Sequence, residues 1–488
     1  QPLIPWDVNL KNQILGVDGY KKLLKCTPKI ATINEMAFSQ ESTKSYLDAG
    51  YKSVLMEWNN SFKNNPSWKK NYKYFSAELT FQDSQKMNVI WGDSIIFQKF
   101  QRYVHGEISL NSYLTWLLRS SKNAPESSSL CLYCSDAEVF DFRPRRYGTE
   151  STPMHNEWER IRNLFESLNK INQKVDLPSK SVTKDQKFSP KNISITNSAH
   201  PIVVKKQEKY NINRWSITGR DDFNLNTACY RIFKNFKKNT SNTKWKQLIF
   251  LWSSDLRTHI EIRRWNKAQK MLKALDHKNK NSKVIRFNKS TKSTIFKNDE
   301  NKKDIQLSSG SINLSLDGSK GLSLKSFSYK EKTYLGTIEH GYFDDISFAA
   351  DFYSGISVIE PVGARKITDL TRIKSFEVGN KSISSKFYNQ ETAFKKEYKI
   401  IGEDSFEITQ MINISSNQKM KISNCIFTFT PENWDEKSLY FSSKLGGNNA
   451  EKFYINTNVN HLENLNFNVG SKGGFSATDG NIEIGDKY

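Results

Sequence analysis

Cysteine is scarce in this chain, with five in 488 residues, at Cys26, Cys131, Cys134, Cys229 and Cys425. Five scattered thiols do not build the disulfide framework of a small secreted fold, so a reducing compartment is expected. The one CxxC, Cys131 to Cys134, lies inside an apolar run without a second pair, and no zinc centre is expected from it. If that run is a strand, the two thiols point to opposite faces and no disulfide forms. Histidine is also scarce, at seven residues. His105, His155 and His259 fall on helix or loop pattern rather than beside strand-end acids, so neither a metal nor a cofactor is expected. No apolar run approaches the length of a membrane helix, and Gln1 to Asp7 lack the charged-then-apolar layout of a signal peptide. No membrane span, no export signal and a cytoplasmic location are the expectations. Acidic residues are in deficit: 51 Asp and Glu against 73 Lys and Arg give a net charge of +22. The excess is mostly Lys, is heaviest in loop-like stretches such as Lys278 to Lys303, and forms no coherent patch along the chain, so nucleic acid is not an expected partner.

What the chain has is length and aromatic side chains. Its 488 residues exceed what one core normally organises, and Trp 11, Tyr 20 and Phe 30 suit both cores and platforms on which flat ligands stack. From Lys29 onward, strand and helix alternate. Lys29 to Glu35 reads as a buried strand, Ser39 caps a helix through Leu47 that Gly50 closes, and Tyr51 to Glu57 is a second strand. Residues 59 to 86 suit a long excursion. Met87 to Trp91 is a third strand, with helical pattern from Asp93 to Tyr103 and from Leu110 to Ser120, and Leu130 to Ser135 is a fourth. This rhythm implies a parallel sheet, closed into a barrel or left open, with function at the carboxyl ends of its strands.

Residues 173 to 208 have little periodicity and read as a linker or long loop. Helical spacing returns over Asn224 to Phe236 and Trp245 to Leu275, expected to pack beside the sheet. From about Ile305, strands five to eight residues long alternate with Gly, Asn, Ser and Asp, for instance Gly321 to Tyr329 and Phe406 to Ile414. That is an all-β domain, most simply a sandwich. Strand pattern continues to Tyr488, so more chain is expected beyond it.

Two carboxylates stand at strand ends in apolar surroundings: Glu35 in Asn34-Glu-Met-Ala-Phe38 and Asp136 in Ser135-Asp-Ala-Glu-Val-Phe140. A glycosidase needs two such groups across one bond, one to attack or activate water and one to protonate the leaving oxygen. Acids at strand ends also serve as helix caps, and spacing alone favours that plainer role. The surrounding residues add a resemblance. Pro28-Lys-Ile-Ala-Thr-Ile-Asn-Glu-Met-Ala-Phe-Ser39, followed by Leu47-Asp-Ala-Gly-Tyr-Lys-Ser-Val-Leu-Met-Glu-Trp58, resembles the glycoside hydrolase family 57 segment in which a Glu-Met-Ala strand end precedes a helix, a Gly and the next strand. Leu130-Cys-Leu-Tyr-Cys-Ser-Asp-Ala-Glu-Val-Phe140 is similar to its segment with an Asp-x-Glu pair after a strand. The resemblance implies that Glu35 is the nucleophile and Asp136 the general acid/base. Trp252-Ser-Ser-Asp255 is more loosely similar to a helical segment that brings an Asp and aromatics to the cleft. Gln1-Pro-Leu-Ile-Pro5 resembles a segment that usually reads His-Pro-Leu-x-Pro, which implies that the family's first strands and amino-terminal His motif precede Gln1.

The implied architecture is α/β plus all-β. A partial catalytic β/α barrel of the seven-stranded type spans 1–172, a linker or long loop 173–208, a helical segment on the barrel 209–304, and a β-sandwich 305–488. The implied reaction is retaining hydrolysis or transfer at α-glycosidic bonds of an oligosaccharide or polysaccharide of the α-glucan kind, with the two carboxyls roughly 5 to 5.5 Å apart. Trp58 and Trp252 are candidate stacking platforms, although a Trp at a strand or helix end is more often core. Glu57, Glu138 and Asp255 are candidates for bonding sugar hydroxyls, or plain loop caps. The loop from Ile338 to Asp345 concentrates polar groups that reach a cleft or simply turn between strands. Two rival readings remain: a metal-dependent polysaccharide deacetylase, which needs an Asp and His triad, and a non-catalytic glycan-binding protein.

Overall fold

The structure, a computed structural model, describes residues 2–33, 38–63, 65–125, 128–141, 156–182, 193, 202–204, 207–210, 221–256, 261–276, 294–297, 304–338, 352–414, 418–455 and 477–487. Two compact units divide it: residues 1–280 with 440–484, and residues 281–439 with 485–488.

In the first unit a helix, α1 (Trp6–Leu24), precedes β1 (Ile30–Thr32). A second helix, α2 (Gln40–Asp48), leads through Gly50, at φ +102°, into β2 (Ser53–Glu57). Glycine meets that left-handed turn at no steric cost. The next elements are α3 (Trp58–Lys63), β3 (Ala77–Thr80) and β4 (Lys86–Gly92). Helices α4 (Ser94–Val104), α5 (Leu110–Ser120) and α6 (Glu157–Lys170) follow.

The sheet order is β1-β2-β4-β3. β1, β2 and β4 run parallel, with Ala31 opposite Val54 and Val54 opposite Val89, while β3 returns antiparallel along β4. β2 is buried on both faces from Ser53 to Met56, as expected of a strand inside a parallel sheet. The run Leu130 to Ser135, expected as a fourth strand, meets the sheet at one point, a parallel bridge from Cys131 to Gly92. The chain curls there, with the Cys131 thiol donating to the Tyr133 carbonyl at 3.4 Å, so no strand propagates. Among the described residues the sheet is open, and a seven-stranded barrel is not present among them.

Aromatic and aliphatic side chains of the described residues fill four cores in this unit, the smallest around Phe441, Leu445 and Phe453. Val54, Met56, Trp58, Val89 and Trp91 share one with β1 and β3. Phe100, Tyr103, Tyr113 and Leu164 of α4, α5 and α6 form a second with Phe140. Ile4 and Val8 join three further helices, Asp222–Lys234, Asn242–Leu251 and Ile262–Leu275, in a third.

The stretch 173–208, expected as a linker or long loop, falls in this unit together with the segments it joins. Ile193 is buried beside β3, where its N–H donates to the Glu78 carbonyl at 3.0 Å. The expected β domain over 305–488 is likewise interrupted, because residues 440–484 return to the first unit. The reason is a set of specific bonds: Asn9 Nδ2 donates to Gly446 O at 3.0 Å and Ser39 Oγ to Leu445 O at 2.6 Å.

The second unit is antiparallel throughout its described pairings. Strands Asp304–Ser309, Ile312–Asp317, Ser323–Tyr329 and Lys332–Gly336 form one sheet with Thr428–Phe429. Thr294–Lys297, Ser375–Gly379, Ser382–Asn389, Thr392–Ile400 and Phe406–Asn413 form another. A three-stranded sheet joins Ile356–Pro361 to Ile367–Thr368 and Met420–Ile426. Leu314, Leu316 and Leu324 of the first sheet and Ile383, Phe387 and Phe394 of the second fill one apolar core.

Candidate active site

Parallel strands leave their carboxyl ends on one edge, and in this chain that edge is acidic. Register places Glu57 beside Gly92 and Gly92 beside Cys131, so the ends of β2 and β4 and the start of the 131–141 segment lie in succession. β1 stands on the other side of β2 and leads into the Asn34-Glu35 segment. Glu35 itself lies outside the described residues, and with it the Glu35–Asp136 separation.

Glu57 is half-buried, and its Oε1 accepts from Asn59 Nδ2 at 2.7 Å and from the Ser94 N–H at 3.4 Å. Asp93 caps α4, Oδ1 accepting from Ile95 N at 2.9 Å, while Oδ2 pairs with Lys73 Nζ at 3.3 Å. Two carboxylates therefore converge on the positive end of the α4 dipole, which favours negative charge there. The sequence signal for Asp93 was legible as an N-cap before an amphipathic Ser-Ile-Ile-Phe run. Its convergence with Glu57 depends on strand register and was not.

Asp136 is exposed and precedes a short 3-10 turn, Ala137–Val139. Its carbonyl accepts from the Tyr133 hydroxyl at 2.7 Å, and that hydroxyl also receives Gln101 Nε2 of α4 at 3.2 Å. The Tyr133 ring packs against Phe97, Phe100 and Phe140, so the backbone carrying Asp136 is fastened to the α4–α6 core. Burial pushes the Tyr133 phenol up, which keeps it a donor at neutral pH. Glu157, fully buried at the start of α6, ties down the far end of the segment. Its Oε2 accepts from Asp141 N at 2.6 Å and its Oε1 meets His105 Nδ1 at 2.8 Å. This His105–Glu157 pair was not anticipated. It links residues 52 apart, and no local pattern announces it.

Neither candidate tryptophan platform is open. Trp58 is 3% exposed and stacks on Phe62 and Trp68, with Trp91 edge-on at 5.3 Å. Trp252 is 4% exposed, packs among the helices of the third core, and donates from Nε1 to Asn226 Oδ1 at 3.1 Å. Both are core side chains here, and the corrected reading follows from burial: a ring with no free face offers nothing for a sugar to stack on. Glu138 and Asp255 fall in the 3-10 turns Ala137–Val139 and Ser254–Leu256, their side chains outside the described set. The loop from Ile338 to Asp345 is described only at Ile338.

The two thiols of the CxxC, expected on opposite faces, belong to residues that both lie against Gly92, and each thiol shifts the other's titration. Cys134 sits directly over Gly92, where an added Cβ would come within 2.4 Å of its Sγ. The close approach therefore depends on glycine at the end of β4.

No family model matches the chain, and no curated protein matches it. Fourteen chains of solved structures do match. One is a 4-alpha-glucanotransferase from Thermococcus litoralis, 14% identical, with a TM-score of 0.41, over 86% of this chain and 72% of that one.

Proposed function

We propose that this chain is a glycoside hydrolase family 57-type enzyme that hydrolyses or transfers α-glycosidic bonds of an α-glucan-like saccharide with retention. Glu35 attacks the anomeric carbon while Asp136 protonates the departing oxygen, and the same Asp then activates water or an acceptor hydroxyl. The motifs quoted above carry the family reading. The structural observation that supports it is the parallel succession from residues 30–32 through 53–57 and 86–92 to Cys131, which brings the end of β1, Glu57, Asp93 and the start of the Asp136 segment to one edge. On this reading the three parallel strands belong to a β/α barrel, and Glu57 and Asp93 organise polar groups at its mouth. Asp136 being exposed suits a group that must meet both a polymer and water.

The test is covalent. A 2-deoxy-2-fluoro or 5-fluoro α-glycosyl fluoride forms the glycosyl ester quickly and releases it slowly. Peptide mapping should find one sugar on Glu35 and none in Glu35→Gln. A sugar on another carboxylate moves the nucleophile elsewhere, and no adduct under any turnover condition removes the retaining mechanism.

A further inference from the structure

Cys131 and Cys134 are the two of the five thiols brought together among the described residues. Cys26 is exposed and alone, Cys229 is buried in the helical core, and Cys425 belongs to the second unit. The pair is held by three features. The Cys131 backbone bridges to Gly92, the Cys131 thiol turns back onto the Tyr133 carbonyl at 3.4 Å, and Cys134 seats on the bare Cα of Gly92. Both residues are half-buried, and the next two, Ser135 and Asp136, are exposed, so a small reagent can reach the pair from solvent.

We propose that Cys131 and Cys134 form a redox-active vicinal dithiol that exchanges with low-molecular-weight disulfides of the glutathione class. The Cys131 thiolate attacks one sulfur of the disulfide, the S–S bond breaks, and one small thiolate leaves with a mixed disulfide on Cys131. Cys134 then gives up its proton to solvent and attacks Cys131 Sγ, expelling the second small thiol. Two electrons pass from the dithiol to the reagent, giving one protein disulfide and two free thiols. The surroundings set the order of attack. The neighbouring Cys134 lowers the Cys131 thiol below its usual range against burial, whereas Cys131, burial and the charges of Glu57 and Asp93 push the Cys134 thiol up. Lys73 pairs with Asp93 on this edge. The proposal is independent of the glycosidase reading, since it rests on the thiols and their seat alone.

The experiment uses the whole chain, equilibrated in reduced and oxidised glutathione at graded ratios, acid-quenched, alkylated and mapped by mass spectrometry. As the ratio becomes oxidising, Cys131 and Cys134 should lose alkylation together, and their shared peptide should appear without either adduct, about 2 Da below the mass of the unalkylated dithiol peptide through loss of two hydrogens. Cys26 should instead carry a mixed disulfide or stay free. In Cys134→Ser, glutathione should accumulate on Cys131, since no resolving thiol remains. If both cysteines stay fully alkylated in excess oxidised glutathione, or each carries its own glutathione in the unsubstituted chain, they are not a dithiol and the proposal fails. The unsubstituted chain decides this even if the variant does not fold.

Discussion

Trp58 stacks on Phe62 and Trp68, meets Trp91 edge-on and is 3% exposed. Trp58→Ala should lower unfolding free energy by about 3–5 kcal/mol, the range for a large aromatic removed from a packed core. Denaturant unfolding checks this, and a loss under about 1 kcal/mol would mean the ring is not core. The second unit holds a different buried feature. Lys396 Nζ lies 2.9 Å from Asp369 Oδ2 with both side chains almost wholly buried, and it also donates to the Gly355 carbonyl at 2.8 Å. Burial holds the Lys396 ammonium below its usual range against the opposing pull of Asp369. Asp369→Asn should therefore cost about 3–5 kcal/mol by leaving an unpaired buried cation, whereas Lys396→Met with Asp369→Leu should cost far less. Equal losses in the single and double variants would contradict this. At this scale the sequence indicated residue types but not surroundings. Trp58 and Trp252 follow strand and helix ends as a binding platform would, and only their neighbours in space show that they are core.

At the scale of elements, the start of α2 was expected to be capped by Ser39. Its hydroxyl instead donates to Leu445 O, and the first helical N–H, that of Gln40, goes to Glu451 Oε1 at 2.8 Å. The cap comes from 411 residues away, beyond any local signal. Glu451 is buried beside Glu41, and its carboxyl is pushed from 4.5 up to about 8, chiefly by burial, with the charge of Glu41 adding to it. The folded chain thus keeps a proton that the unfolded chain releases above its ordinary value. The stability from this group is fully present below about pH 4.5 and is lost as pH rises to about 8. Urea unfolding across that window should show the loss, and Glu451→Gln, which keeps an acceptor for Gln40, should flatten it. An unchanged slope in the variant would assign the pH dependence to other groups. β1, β2 and β4 were legible from their apolar runs, and burial on both faces accounts for that composition in β2 and in the second half of β4. The run at 130–135 is also apolar but has no β-branched residue, and it meets the sheet only at Cys131, while Cys134 seats on Gly92, a contact that composition does not encode.

At the scale of the molecule, the division into two units crosses the expected boundary, because residues 440–484 belong with the amino-terminal unit. Strands Tyr440–Ser443 and Glu451–Tyr454 pair there, and the loop between them accepts from Asn9 and Ser39, while Asn449 Nδ2 donates to Glu41 Oε2 at 2.9 Å. Ending the chain at Leu439 should therefore destabilise the first unit, with each lost kcal/mol lowering its melting temperature by about 2–4 °C. Calorimetry on the two lengths checks this, and unchanged melting of the first unit would contradict it. That return of the chain was illegible because a strand pattern near residue 450 looks the same whichever unit it joins. The Glu35 and Asp136 motifs could be singled out in the sequence for the opposite reason: the chemistry proposed for them demands particular residues at particular places after a strand.

The central claim concerns two of those residues and is tested most directly by comparing substrates in Asp136→Asn. The account predicts that the variant loses on the order of 10²–10⁴-fold in turnover of natural α-glucans, whose leaving groups need a proton, while forming the glycosyl intermediate near the normal rate from an activated aryl α-glycoside. Glu35→Gln should lose both. Equal loss on both substrates in Asp136→Asn, or none on either, would contradict its role as the general acid/base.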